Sequence, residues 1–223
     1  MHDAVGGLSD GGTVALSVDR AKLNVALRRN TAYLLGYVAL CAVVAAGIVA
    51  LAVTDYGRYP TYLLLGILLA VLLASLGMGL WLRRRVRGFL SLTEPFIAIS
   101  REGITFAGVP RIGWGDVLGV IYGDSSADLQ KGGAVARWAR KLTYRAGGAQ
   151  MFVHVGIDDP KRYRAAATGD LARYISPVMG AGGILVHVDT ALNDEQLARL
   201  REALRAGTAL AGARYLETND NRR

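Results

Sequence analysis

Residues 31–53 read TAYLLGYVALCAVVAAGIVALAV, and residues 61–82 read TYLLLGILLAVLLASLGMGLWL, both without a charged side chain. A helix needs about 20 mainly apolar residues to cross the hydrocarbon layer of a bilayer, and both stretches reach that length. The connection between them, Asp55 to Pro60, is so short that it can join only neighbouring antiparallel helices. We therefore predict a membrane protein that begins with a transmembrane helical hairpin.

The basic residues that border the two stretches predict the orientation of this hairpin. Positively charged residues in short flanks remain on the cytoplasmic side of a membrane. Cations precede the first stretch and follow the second, whereas the connection carries only Arg58. We therefore predict a multi-pass protein of the inner (plasma) membrane with both termini in the cytoplasm. The flanking cations are Arg20, Lys22, Arg28, Arg29, Arg83, Arg84, Arg85 and Arg87.

Composition narrows the classes of function. The chain is 52% hydrophobic and 20% charged. Because the apolar stretches and the charged residues occupy different parts of the sequence, a soluble domain should follow the hairpin. The formal charge of +8 would suit a polyanionic partner, but the cations gather beside the apolar stretches, so nucleic-acid binding is not expected. Cys41 is the only cysteine, which excludes an internal disulfide and a multi-cysteine metal site.

Four segments follow from these patterns. Residues 1–30 are expected to form a flexible N-terminal tail and basic flank, which is retained because the first apolar run starts too late for a cleaved signal. Residues 31–82 form the transmembrane hairpin, and residues 83–216 form the cytoplasmic domain. Residues 217–223 lack an apolar pattern and are expected to be a loose C-terminal tail.

The cytoplasmic segment has the pattern of an antiparallel sheet followed by a helix. Stretches rich in β-branched and aromatic residues occur at 95–100, 103–107, 117–122, 150–157 and 183–189, with a tight turn at Arg101–Gly103. Asn193 and Gln196 have the spacing of a capping box at the start of a helix. Because this helix places leucines along one face, we predict that it packs on the sheet and closes the domain.

A resemblance supports this architecture. The segment EPFIAISREGITF at residues 94–106, followed by Ile112, Trp114, Asp116 and Val117 ahead of a strand, resembles the bacterial pleckstrin-homology-like (PH-like) families. In those families a paired transmembrane hairpin precedes a small PH-like barrel. The resemblance implies an α+β domain, built as a PH-like antiparallel barrel or sheet with a C-terminal helix, and it implies no particular activity.

One segment of the cytoplasmic domain mixes apolar residues, a tryptophan and cations. Residues 134–142 read AVARWARKL, a composition typical of an amphipathic helix on a membrane surface beside the cations that follow the second span. The alternative is a solvated basic loop with Trp138 packed against the barrel. The candidate residues for contact with the membrane surface and anionic lipid are Arg83, Arg84, Arg85, Arg87, Arg137, Trp138, Arg140 and Lys141.

No motif in the sequence indicates catalysis. His154 and His187 lie in strand patterns without further ligands at metal-binding spacing, so we interpret them as strand residues. The glycines at 180–183 lack the lysine of a phosphate-binding loop. We predict that the protein is not an enzyme and has no catalytic residue, cofactor or metal site.

Two functions fit these patterns. The first is a non-catalytic binding or scaffolding module, anchored in the bilayer at its cytoplasmic face, whose ligand is a protein partner or an anionic lipid. The alternative is an accessory subunit of a larger membrane protein complex, or a homo-oligomer, docked through its two transmembrane helices. Small residues at four-residue spacing favour such helix contacts, and they are Ala42, Ala46, Ala50, Ala70, Ala74, Ser75 and Gly79.

Overall fold

The computed structural model of the chain describes residues 12–54, 58–125, 132–145, 149–168, 175–178 and 181–219. Two long helices are followed by strands and shorter helices. In chain order the elements are β1 (Val14–Leu16), α1 (Arg20–Val53), α2 (Tyr59–Leu90), β2 (Ile97–Ser100), β3 (Gly103–Phe106), β4 (Ile112–Gly113), a 3₁₀ turn (Trp114–Asp116), β5 (Val117–Asp124), α3 (Ala134–Arg145), β6 (Met151–Ile157), α4 (Pro160–Ala166), β7 (Ile175–Val178), β8 (Ala181–His187), α5 (Asp194–Ala211) and β9 (Arg214–Asn219).

The helices α1 and α2 contain the two apolar stretches and lie antiparallel. Both are long and apolar enough to cross a membrane, and only 11% and 6% of their most apolar windows are buried in the protein. Their contact is close at Gly79, where an added Cβ would lie 2.8 Å from Leu34 Cδ2. Nearby, the buried Asn30 donates from Nδ2 to the Gly79 carbonyl oxygen at 3.1 Å. A small residue thus lets the two backbones approach, and the hydrogen bond from Asn30 helps to fix their register.

The segment before α1 is part of the folded domain, which differs from the expected flexible tail over residues 14–30. Strand β1 pairs antiparallel with β2 from Val14↔Ile99 to Leu16↔Ile97, and α1 begins at Arg20. Asp19 caps this helix by accepting from the Lys22 backbone N–H at 2.9 Å. The sequence did not reveal this strand because it is only three residues long and follows a glycine-rich polar segment. Backbone hydrogen bonds to β2 hold it at the edge of the sheet.

The strands of the described residues form two sheets. The first has the order β1-β2-β3-β4 and the second β7-β8-β6-β5-β9. The predicted turn at Arg101–Gly103 joins β2 to β3. Neighbouring strands are antiparallel except β9, which pairs parallel with β5 from Gly119↔Arg214 to Asp124↔Asn219. The C-terminal segment is therefore in a strand as far as Asn219, where the sequence pattern predicted a loose tail from residue 217.

Helix α5 packs on the sheets as the leucine pattern predicts. Its capping box is present, with Gln196 N–H donating to Asn193 Oδ1 at 2.9 Å and Asn193 N–H donating to Gln196 Oε1 at 3.0 Å. Two long helices are thus followed by a sheet-plus-helix domain with one apolar core. The largest side chains buried in that core are Phe89, Phe96, Phe106, Leu23, Ile97, Ile99, Ile104, Ile112, Ile157 and Ile184.

Candidate functional site

The candidate cations of the sequence fall into two groups that the fold brings to the same end of the domain. Arg83, Arg84, Arg85 and Arg87 lie near the C-terminal end of α2. Arg137, Trp138, Arg140 and Lys141 lie on α3. The candidate side chains on α3 are all exposed to solvent, whereas those on α2 range from exposed to buried.

Arg85 is a buried residue, which differs from its expected place on the membrane surface. Its side chain packs beside two rings, with the guanidinium carbon 5.8 Å from the Trp81 ring centroid and 5.9 Å from that of Phe89. The neighbouring Val86 is fully buried on the same side of α2. Arg84 and Arg87 are exposed, and Arg83 is half-buried and donates from Nη1 to Thr31 Oγ1 at 2.8 Å. The helix face toward the domain therefore takes Arg85 out of solvent.

Helix α3 presents an apolar face and a basic face. Val135, Trp138 and Ala139 share one side at helical spacing, whereas Arg137, Lys141 and Tyr144 lie on the other. Val135 is 80% exposed and Trp138 63% exposed. Trp138 is therefore not packed against the domain, which contradicts the interpretation of this segment as a basic loop with a buried tryptophan.

The position of α3 follows from the strands that it connects. It lies between β5 and β6, whose paired ends are Asp124 and Met151. The next residue of β6, Phe152, pairs with His187 at the end of β8. Burial, with a smaller effect of the Arg85 charge, lowers the pKa of His187 to about 4. This end of the sheet thus lies beside Arg85 of α2, and α3 also approaches α1.

We call the exposed part of this end the hairpin-proximal surface. It joins residues of α1, α2 and α3 that are far apart in the sequence. Arg28 and Arg29 are exposed on α1 just before the first apolar stretch, so this surface also includes cations that sequence reasoning treated only as signals of orientation. The surface consists of Arg28, Arg29, Arg84, Arg87, Val135, Arg137, Trp138, Arg140 and Lys141.

A group of buried polar residues lies behind this surface, and sequence reasoning missed it. Asp189 is 3% exposed, and its Oδ2 accepts from the Gln150 backbone N–H at 2.8 Å. Burial raises the pKa of Asp189, against the lowering effect of this and the Met151 backbone hydrogen bond. Thr190 is also buried. The sequence did contain a signal for this group. Asp189 directly follows the apolar run at 183–188, and a polar residue in that position lies where a strand ends.

His154 and His187 lie on the outer face of the second sheet. Ile121 pairs with His154, and His154 pairs with Leu185 on the next strand. An added Cβ at Gly183 would lie 2.8 Å from His154 Nε2, so the imidazole occupies the space above this glycine. Burial lowers the pKa of His154. Across the described ranges, no three His, Cys, Asp or Glu side chains converge in a metal-binding group.

The exposed side of the first sheet carries a shallow depression. Its lining includes Ser100, Thr105 and the ion pair between Arg111 and Glu102. Both partners of this ion pair are well exposed, with 58% and 66% of their side-chain surfaces accessible. Solvent screening makes such a pair a weak contributor to binding or stability.

No family model, curated protein or solved structure matches this chain. The resemblance to bacterial PH-like families accordingly stays a prediction from short sequence motifs.

Proposed function

We propose that the chain is a membrane-anchored, non-catalytic binding module whose PH-like domain is held at the cytoplasmic face of the plasma membrane and binds anionic lipid. The observation that carries this proposal is the gathering of exposed cations from α1, α2 and α3 on the hairpin-proximal surface. In the proposed orientation this surface faces the lipid headgroups. Each basic residue close to an anionic leaflet contributes about 1 kcal/mol of attraction.

Membrane insertion is supported by the side chains that α1 and α2 expose. A soluble protein rarely leaves so large an apolar area in water. Leu35 is 66% exposed, Val43 67% and Leu64 67%, and lipid would cover these side chains without any change in the fold. With Arg28, Arg29, Arg84 and Arg87 inside, the positive-inside rule leaves the connection at Arg58 outside the cell.

The PH-like assignment is supported by the residues that carry the resemblance. Trp114 is 9% exposed and donates from Nε1 to the Ser100 carbonyl oxygen at 3.0 Å, which ties the 3₁₀ turn to β2. Asp116 accepts at Oδ2 from the Tyr163 hydroxyl at 2.5 Å, which ties the same turn to α4. These motif residues therefore hold the turn between β4 and β5 against β2 and α4, and α5 closes one side of the domain as a PH-like terminal helix would.

Several hydrogen bonds attach the domain to the hairpin. They hold the hairpin-proximal surface in one orientation relative to α1 and α2. Lys22 Nζ donates to the Leu192 carbonyl oxygen at 2.6 Å. Arg20 Nη2 donates to the Leu92 carbonyl oxygen at 3.2 Å. Asp19 N–H donates to the Ala191 carbonyl oxygen at 2.7 Å. Because α1 continues without a break from this junction into the apolar stretch, the cations are held at a fixed height relative to the proposed membrane.

The proposal is tested by measuring the lipid that stays with the protein. We expect the full-length chain, extracted from native membranes in mild detergent, to retain anionic lipid in native mass spectra. The variant Arg84→Gln/Arg87→Gln should retain less, because two headgroup contacts are lost. The matched control is Arg162→Gln/Arg164→Gln, which removes the same charge from α4 at the opposite end of β6. Equal lipid retention by the wild type and both variants would contradict the proposal.

A second candidate, the accessory subunit, is favoured by glycines that point away from the hairpin contact. An added Cβ at Gly36, Gly47, Gly66 or Gly77 would meet no other atom within 4 Å. A further transmembrane helix could approach closely at these positions. Cross-linking in native membranes tests this function, and a stable partner of fixed stoichiometry would support it.

A further inference from the structure

We infer that α3 is a membrane-interfacial helix, which places its Val135–Trp138 face in the cytoplasmic leaflet and its basic face among anionic headgroups. This inference rests on the proposed membrane anchoring. It deepens the proposed lipid site, because the apolar face of α3 would enter the bilayer while its cations contact headgroups, and it gives the domain a second attachment to the bilayer.

The strands on either side of α3 determine where this helix lies. It connects the ends of β5 and β6, and this end of the sheet lies next to Arg85 through His187. Arg85 in turn stands one helical turn beyond Trp81, which belongs to the apolar stretch of α2. Since α3 also approaches α1, it lies at the height where the apolar parts of both long helices end.

The apolar face of α3 is exposed. Val135 and Trp138 are 80% and 63% exposed, and in water this exposure is unfavourable for two adjacent large apolar side chains. Tryptophan favours the interface of a bilayer, where its ring is in an apolar layer and its N–H remains hydrated.

The charge of α3 favours an anionic surface. The helix carries Arg137, Arg140, Lys141 and Arg145 and no acidic residue. Long basic side chains beside a buried apolar stripe can extend to headgroup phosphates while their stems remain in the apolar layer. Anionic headgroups would therefore pair with the cations of α3, and the acyl chains would cover its apolar face. A basic face and an apolar face are the two features that define an interfacial helix.

The test uses an environment-sensitive fluorophore at single cysteines in the full-length chain, with Cys41→Ala as background. The positions are Val135→Cys on α3, Val43→Cys on the exposed face of α1 and Leu118→Cys at the far end of β5, where the side chain is 56% exposed. The variants are reconstituted into vesicles of phosphatidylcholine with or without phosphatidylglycerol. Quenching by nitroxide-labelled lipid acyl chains reports contact with the bilayer.

We expect quenching at Val43→Cys in both kinds of vesicle and no quenching at Leu118→Cys. At Val135→Cys we expect quenching with phosphatidylglycerol, weakened when Arg137→Gln and Lys141→Gln are added. Each charge removed should lower the equilibrium constant for insertion by roughly fivefold. The control pair Arg162→Gln/Arg164→Gln should leave the quenching unchanged.

The outcomes separate this inference from the proposed function. If Val43→Cys is quenched and Val135→Cys stays as unquenched as Leu118→Cys in anionic vesicles, α3 does not insert and the inference is overturned. Its apolar face would then be a surface for a protein partner. If Val43→Cys is itself unquenched, the membrane anchoring fails, and the inference fails with it.

Discussion

Gly207 shows how one residue fixes the position of a helix. It lies on the face of α5 that packs against Trp114, and an added Cβ there would lie 2.5 Å from Trp114 Cζ2 and 3.4 Å from Ile99 Cγ2. Glycine normally weakens a helix interior by about 1 kcal/mol relative to alanine. Here the absence of a side chain lets the helix approach a buried indole.

We predict that Gly207→Ala destabilises the protein, although alanine is the better helix former. The clash with Trp114 should lower the free energy of unfolding by about 1–3 kcal/mol. The control is Gly115→Ala, because an added Cβ at Gly115 meets nothing within 4 Å. Thermal unfolding in detergent measures both variants, and a Gly207→Ala protein as stable as the control would show that α5 shifts freely.

We also predict that His187 makes the fold sensitive to acid. Burial, and secondarily the charge of Arg85, lowers the pKa of His187 from 6.5 to about 4. The unfolded chain therefore takes up a proton at this residue before the folded chain does, and stability is lost as the pH falls from 6.5 towards 4. The loss is on the order of 1 kcal/mol after allowance for the partial exposure of the ring.

The measurement is the melting temperature at several pH values between 4 and 7, compared with His187→Gln. The wild type should lose more stability on acidification than the variant. Asp189 acts in the opposite direction because burial raises its pKa, but it is common to both proteins, so the difference between them isolates His187. Parallel pH profiles would contradict the prediction.

At the scale of elements, two helix caps join the hairpin to the domain. Asp19 caps α1, Asn193 caps α5, and Asn193 Nδ2 donates to Asp19 Oδ2 at 3.0 Å. Gln196 Nε2 also donates to the Ser17 carbonyl oxygen at 2.8 Å. The hydrogen bond from the Lys22 backbone N–H, and secondly the one from the Asn193 side chain, lowers the pKa of Asp19. The start of the first long helix is thereby linked to the start of the last helix of the domain.

We predict that Asp19→Ala destabilises the protein more than the loss of an ordinary cap. It removes a cap and a link between elements, at a combined cost of about 2 kcal/mol. The matched control is Asp159→Ala, which removes the cap of α4, where Asp159 Oδ1 accepts from Arg162 N–H at 3.2 Å. That cap is local and exposed, so its loss should cost about 1 kcal/mol or less. Unfolding in detergent compares the two variants, and equal costs would mean that the link to Asn193 contributes nothing.

At the scale of the whole molecule, orientation in the membrane is the property on which the proposed function depends. With Cys41→Ala as background, we predict that Tyr59→Cys reacts with an impermeant maleimide on intact cells, because Tyr59 is 80% exposed at the N-terminal end of α2 and the proposed orientation places this end outside the cell. Leu118→Cys should react only after the cells are permeabilised. The reverse pattern would place the domain outside the cell and contradict the positive-inside prediction.

The sequence alone determined the features that depend on residues close together in the chain. The length and lack of charge of residues 31–53 and 61–82 predicted two long apolar helices, since both properties are counted along the sequence. The spacing of Asn193 and Gln196 predicted the start of α5 for the same reason, and the turn at Arg101–Gly103 predicted the hairpin of β2 and β3.

Only the tertiary structure decided which distant segments pair and which cations reach the surface. Strands β1 and β9 are held by backbone hydrogen bonds to β2 and β5, and these bonds leave almost no trace in side-chain pattern. Arg85 and Arg84 are adjacent and chemically identical in the sequence, yet the domain covers the first and leaves the second exposed. The exposure of Trp138 likewise depends on where β5 and β6 place α3, because burial is set by contacts between residues far apart in the chain.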